Sequence, residues 1–138
     1  MTILKNVDLQ MFQGYESFKR LIDFEHALTR LGQTWARMIK AENQQKIVFS
    51  GCGTSGRLAF FAARSFNAYL KKDIFAYDCA GGDHALIAAQ ESAEDQTTHS
   101  LSPQNIGCYV GITCGMSAPY VAGQLYDLIK THKAKDRL

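Results

Sequence analysis

A chain of 138 residues, 46% apolar and 20% charged, has the material for one packed core and the composition of a folded rather than a disordered protein. Its formal net charge of +2 lacks the strong positive field of a nucleic-acid-binding protein. No apolar run reaches the ~18–20 residues of a membrane span, and the start of the chain, Met1–Asp8, has no signal-peptide core, so the protein reads as cytoplasmic.

Residues 1–13 read as loosely ordered. From about Tyr15 to Lys40 the apolar residues Phe18, Leu21, Ile22, Leu28, Leu31, Trp35, Met38 and Ile39 recur at helical spacing. They predict a long amphipathic helix, weakened locally by Gly32. Residues 1–44 are thus expected to form an N-terminal segment and long helix, and residues 45–138 a separate α/β domain. An apolar run at 46–50 predicts a first strand, followed by a glycine-rich turn, Gly51-Cys52-Gly53-Thr54-Ser55-Gly56-Arg57. A helix over about 55–71 comes next, with Leu58, Phe61, Ala62, Ser65, Phe66 and Tyr69 on its apolar face. A second strand spans Ile74–Cys79, and a turn at Gly81-Gly82 opens a third helix from Asp83, a natural N-cap, to about Ala93. A polar connection from Glu94 to Asn105 leads to a third strand, Ile106–Ile112. A second small, hydroxylated loop, Thr113-Cys114-Gly115-Met116-Ser117, follows. Pro119, placed where its missing N–H costs little, opens a last helix ending near His132. The basic residues Lys130, Lys133, Lys135 and Arg137 read as a solvated tail.

Strands alternating with helices predict an α/β fold, a doubly wound parallel sheet of flavodoxin-like type. Right-handed crossovers bring both loops to the carboxyl edge of the sheet, where such folds bind ligands. Only three strands can be counted, against the ~5–6 usual for this class. The domain therefore reads as truncated, with an under-covered face or edge that recruits a partner.

A glycine-rich turn between strand and helix aims unpaired N–H groups and the positive helix end at one point, a place for a phosphate. Gly51, Gly53 and Gly56 also satisfy the dinucleotide-binding pattern, with Asp78 at the end of strand two where a ribose would be held. A ligand-free structural turn is a third reading. The hydroxyls of Thr54 and Ser55, repeated in the second loop, favour direct bonds to a monophosphate. The four cysteines, Cys52, Cys79, Cys108 and Cys114, form no CxxC pair and no metal-ligand spacing, and His26, His84, His99 and His132 are scattered. Reduced thiols, no metal and no cofactor are expected. Arg57 reads as braced on a neighbouring acid or turned outward, His84 as a surface residue, and Trp35 and the phenylalanines as core.

The motifs GCGTSGR at 51–57, AGGDHAL at 80–86, ESAED at 91–95 and GITCGMSAPYVAG at 111–123, in that order, resemble the sugar isomerase (SIS) domain family. The resemblance covers about Lys46 to Gly123. It is strongest to the branch of glucokinase regulatory protein and N-acetylmuramic acid 6-phosphate etherase, and closer to the regulator. It implies that Gly53, Thr54 and Ser55 in the first loop, and Thr113, Gly115 and Ser117 in the second, hold sugar or phosphate oxygens. Glu94 is implied to bond a sugar hydroxyl. In the etherase two acids act as acid and base; one position falls on Glu94 and the other on Ser65, whose hydroxyl is too weak an acid to donate a proton near neutral pH. The resemblance thus implies a non-catalytic phosphosugar-binding domain, of the fructose 6-phosphate kind, acting through a partner. That partner would be a second SIS domain, a second copy, or a hexokinase-type enzyme. The alternatives are an etherase-like lyase with a degraded acid/base pair and Glu94 as base, and a dinucleotide-binding module.

Overall fold

A computed structural model describes residues 24–41, 44–88, 90–97, 101, 105–114 and 118–135. Contacts divide the chain into two compact units, Met1–Glu42 and Asn43–Leu138. In the first, helix α1 spans Phe24–Lys40, with Arg37 and Lys40 in its last turn, where cations complement the helix dipole. The predicted residues before Phe24 lie outside the described part of the chain.

The second unit runs β1 (Lys46–Gly51), α2 (Gly53–Leu70), β2 (Phe75–Cys79), α3 (His84–Ile87), α4 (Glu91–Glu94), β3 (Ile106–Ile112) and α5 (Pro119–Lys135). The three strands form an all-parallel open sheet in the order β2-β1-β3. Ser50 stands opposite Asp78 and Gly111, and Phe49 opposite Tyr77 and Val110. Strand alternation therefore puts Ser50, Asp78, Tyr109 and Gly111 on one face and Phe49, Phe75, Tyr77 and Cys79 on the other.

Each face takes one long helix. On the aromatic face, Phe66 of α2 stacks on Phe75 with centroids 4.9 Å apart, and Phe60 meets Tyr77 edge-on at 4.9 Å. On the other face, α5 lies so close to β3 that a side chain on Gly111 would begin 2.5 Å from Val121 Cγ1. The α/β, doubly wound architecture expected from the sequence is the one observed. β1, in the centre, buries Ile47, Val48 and Phe49 to 3% exposure or less, each burial stabilising by roughly 1.5–3 kcal/mol. β3, at the edge, has no fully buried residue. No helix of the described residues is long and apolar enough to cross a membrane.

Three local expectations are corrected. The apolar face expected for α2 is largely solvent-facing: Leu58 is 55%, Phe61 63% and Tyr69 85% exposed, and the helix buries Gly56, Ala59 and Ala63 instead. Small residues win that face because α2 packs almost backbone-to-backbone on β1 and β2. A Cβ on Gly56 would stand 2.3 Å from Cys79 Sγ and 2.9 Å from Gly51 O. Gly56→Ala is accordingly expected to lower stability by about 1–3 kcal/mol, measured as a lower urea midpoint at unchanged slope.

The predicted third helix is two short ones, α3 and α4, because Ala88 and Gln90 leave the helical region (φ −131° and −118°). The break returns the chain so that Ala93 packs on the cluster of Ala80, Tyr120 and Val121. Tertiary packing here overrides local helix propensity. Finally, Asp83 precedes α3 without capping it; its Oδ1 accepts a 2.6 Å hydrogen bond from Tyr77 OH. That bond, followed by burial, pushes the Tyr77 hydroxyl up to about 12.

Candidate functional site

The turn between β1 and α2 is built to leave its N–H groups available. The first N–H groups of any helix have no intrahelical partner. Cys52, at the N-cap position, is extended and supplies no side-chain hydrogen bond to them, and the first turn holds no acidic residue. Ser, Thr, Asp or Asn at that position would occupy one of those donors. Gly53 adopts φ +49°, a left-handed conformation that disfavours any side chain, and a Cβ there would lie 2.9 Å from Glu94 Oε1. The Glu94 carboxylate, carried in by α4, thus rests directly against the turn.

A cavity of about 300 Å³ opens at this point, lined by Cys52, Ser55, Glu94, Asp95, Ile112, Thr113, Cys114, Ala118 and Pro119. Its walls come from the end of β1 with the start of α2, from α4, and from the end of β3 with the start of α5. The parallel register places the ends of β1 and β3 side by side, Gly51 opposite Ile112, so the first turn and the residues Thr113 and Cys114 after β3 share a common rim. Thr113 Oγ1 is shielded from solvent and has no hydrogen-bond partner among the described residues. An orphaned hydroxyl in a cavity wall is a group that a ligand oxygen would satisfy.

Burial, reinforced by the Glu94 carboxylate, pushes the Cys52 thiol up to about 11. It is neutral near pH 7 and therefore no thiolate nucleophile. Cys79, buried beneath α2, is also raised, first by burial and then by Asp78. All four cysteines are free thiols. Among the described residues no group of His, Cys, Asp or Glu is arranged to hold a metal ion.

Of the residues singled out from the sequence, Ser55, Glu94 and Thr113 meet in the cavity, with Gly53 against Glu94. Thr54 belongs to the same turn but is exposed and outside the lining. Gly115 and Ser117 lie outside the described residues. Ser65 is exposed on α2 and does not line the cavity. His84 is exposed. Arg57 is half-buried, and its Nε has no partner among the described residues.

Asp78, the ribose-holding residue of the dinucleotide reading, is only 6% exposed. Its Oδ2 accepts hydrogen bonds from Gln124 Nε2 at 2.6 Å and Tyr120 OH at 3.1 Å. It is committed inside the domain, not presented at the sheet edge. Sequence reasoning gave no site role to Cys52, Asp95, Cys114, Ala118 or Pro119. Their signal was adjacency: Asp95, Cys114 and Ala118 stand beside Glu94, Thr113 and Ser117, Cys52 lies inside the glycine-rich turn, and Pro119 opens the last helix.

The chain matches the family model of the glucokinase regulatory protein N-terminal SIS domain over residues 30–129. It is 35% identical to the glucokinase regulatory protein of Xenopus laevis over 142 aligned residues and 33% identical to that of Homo sapiens over 141. In both cases 89% of the chain is covered, but only 23% and 22% of those proteins. It is 30% identical to the N-acetylmuramic acid 6-phosphate etherase of Francisella tularensis subsp. novicida, covering 91% of the chain and 45% of the etherase. The chain therefore spans under a quarter of these regulators and under half of this etherase.

Proposed function

The chain belongs to the glucokinase regulatory protein N-terminal SIS domain family, and from that premise we propose that its cavity binds a phosphorylated monosaccharide of the fructose 6-phosphate kind without transforming it. The carrying observation is the pairing, across one cavity, of an uncapped helix start with the Glu94 carboxylate. The helix start suits a phosphate. A carboxylate suits the donors of ring hydroxyls. One ligand satisfies both only if its hydroxyls hold phosphate and carboxylate apart. Ser55 and Thr113 supply further bonds, joined in this reading by Gly115 and Ser117.

A thermal melt tests the proposal. Fructose 6-phosphate at about 100 times its dissociation constant stabilises the native state by about 2.7 kcal/mol, a rise of roughly 5–10 °C in melting temperature. Unphosphorylated fructose is expected to give no shift. A flat response to millimolar fructose 6-phosphate and N-acetylmuramic acid 6-phosphate alike removes the reading.

Glu94 in the cavity favours one second reading, the etherase-like lyase. Lactate released from N-acetylmuramic acid 6-phosphate, and lost in Glu94→Gln, would select it. The absence of an acid at Ser65 weighs against it. Binding is read out, on this proposal, through a partner in the cytoplasm: a second SIS domain, a second copy, or a hexokinase-type enzyme. The half-exposed edge strand β3 and the exposed apolar residues of α2 support such a surface.

A further inference from the structure

Beneath the cavity lies a closed polar network. Gln124, one turn into α5, is 1% exposed. Its Oε1 accepts hydrogen bonds from Ser50 Oγ at 2.6 Å and Tyr109 OH at 2.9 Å, and its Nε2 donates to Asp78 Oδ2 at 2.6 Å. Tyr120, on the same face of α5, donates to that same Oδ2 at 3.1 Å. One side chain from α5 thus reaches all three strands: Ser50 on β1, Asp78 on β2 and Tyr109 on β3. The amide has one workable orientation. Reversed, it would set its oxygen against the Asp78 carboxylate and leave its nitrogen facing two hydroxyls. A helix seated on apolar contacts alone can slide at little cost, whereas a fully satisfied buried polar network fixes register.

We propose that Gln124 is a positioning residue of the site, a polar clamp that sets where α5 begins and hence where Ala118 and Pro119 stand in the cavity wall. Thr113 and Cys114 follow β3 directly and Ala118 precedes α5, so the clamp also sets how far Ala118 and Pro119 stand from the first turn. The consequence for ligand rests on the phosphosugar reading of the cavity; the clamp itself does not. Binding groups must be held within a fraction of an ångström to work together, and Gln124 does this without touching the ligand.

The test is a polarity swap in the full chain: Gln124→Glu, Asp78→Asn, and both together. Gln124→Glu sets a second buried carboxylate against Asp78, and only one shared proton relieves them. The folded-state pKa of the pair is then raised, so the variant's stability is retained at low pH and lost as pH rises. The other titratable groups facing the pair, the Tyr109 and Tyr120 hydroxyls, have raised pKa values and stay neutral there, as does the Cys79 thiol on the opposite face of the sheet. Asp78→Asn alone keeps an acceptor for Gln124 and Tyr120 and is expected to be mild. The double variant restores a donor–acceptor pair with its polarity reversed.

Two readouts are taken where each variant is still native by circular dichroism: amide exchange over Tyr120–Gln124 and affinity for fructose 6-phosphate. Near pH 7.5, Gln124→Glu is expected to speed exchange there and weaken binding at least about tenfold, with both recovered in the double variant. Unchanged exchange in Gln124→Glu, or no recovery in the double, overturns the clamp. Faster exchange with unaltered affinity overturns its role in the site. If the parent protein binds no fructose 6-phosphate, the cavity reading falls, and the exchange data alone decide the clamp.

Discussion

Asn67→Ala is expected to lower the stability of the domain by about 3 kcal/mol. Asn67 lies near the end of α2 and ties it to the start of β2. Its Nδ2 donates to Phe75 O at 2.8 Å, and its Oδ1 accepts the N–H groups of Ile74 at 3.1 Å and Phe75 at 2.9 Å. Its main-chain carbonyl accepts the N–H groups of Lys71 and Lys72, closing the helix at Lys71, which sits in the left-handed region. Alanine keeps the main-chain bonds and removes the other three. Ile74 and Phe75 are 7% and 3% exposed, so water cannot freely replace the lost partner. Each such bond has a net worth of about 1 kcal/mol, and an orphaned buried group costs more. Urea unfolding measures the loss directly. A change below about 1 kcal/mol would mean that the strand start finds other partners.

Glu94→Gln is expected to weaken fructose 6-phosphate binding by about tenfold to a hundredfold while leaving inorganic phosphate binding unchanged or tighter. The two arms have opposite signs for a physical reason. Glutamine keeps the size and one acceptor but loses the charge, and with it the charge-assisted bonds to ring hydroxyls. A free phosphate has no such hydroxyls and meets Glu94 only as a like charge beside the α2 start, so removing that charge relieves repulsion. Calorimetric titration with each ligand separates the two. Parallel losses for both would show that Glu94 supports the shape of the Gly53 turn rather than a sugar hydroxyl. Phosphate bound and sugar ester unaffected would place the sugar elsewhere in the cavity.

Much of the candidate site was legible because the residue types of its turns are read locally. The turn from Gly51 to Gly56 announces itself by residue type, since a strand followed by small residues and a helix has few other solutions. Ser55, Thr113 and Glu94 were named from motif and order, and they share one cavity. Thr54 was named with them and stands outside the cavity lining. Adjacent hydroxyls in a motif look equivalent, yet successive residues of a helix start point about 100° apart, and Thr54 faces solvent. The apolar face of α2 was misread for a related cause. Periodicity weighs large apolar side chains, but the surface that approaches the sheet is made by Gly56, Ala59 and Ala63, whose merit is being small.

By itself the sequence determined the order and kind of the main elements, the parallel doubly wound sheet and the hydroxylated loops at its carboxyl edge, because periodicity and glycine placement act within a few residues. The tertiary structure alone decided three things: that the third helix breaks so Glu94 meets Gly53, that Asp78 turns inward to Tyr120 and Gln124, and that Gln124 spans all three strands. Each joins residues far apart in the chain, as Ser50 is from Gln124. Only the packing of α5 on the sheet, with its demand that every buried polar group find a partner, brings them within bonding distance.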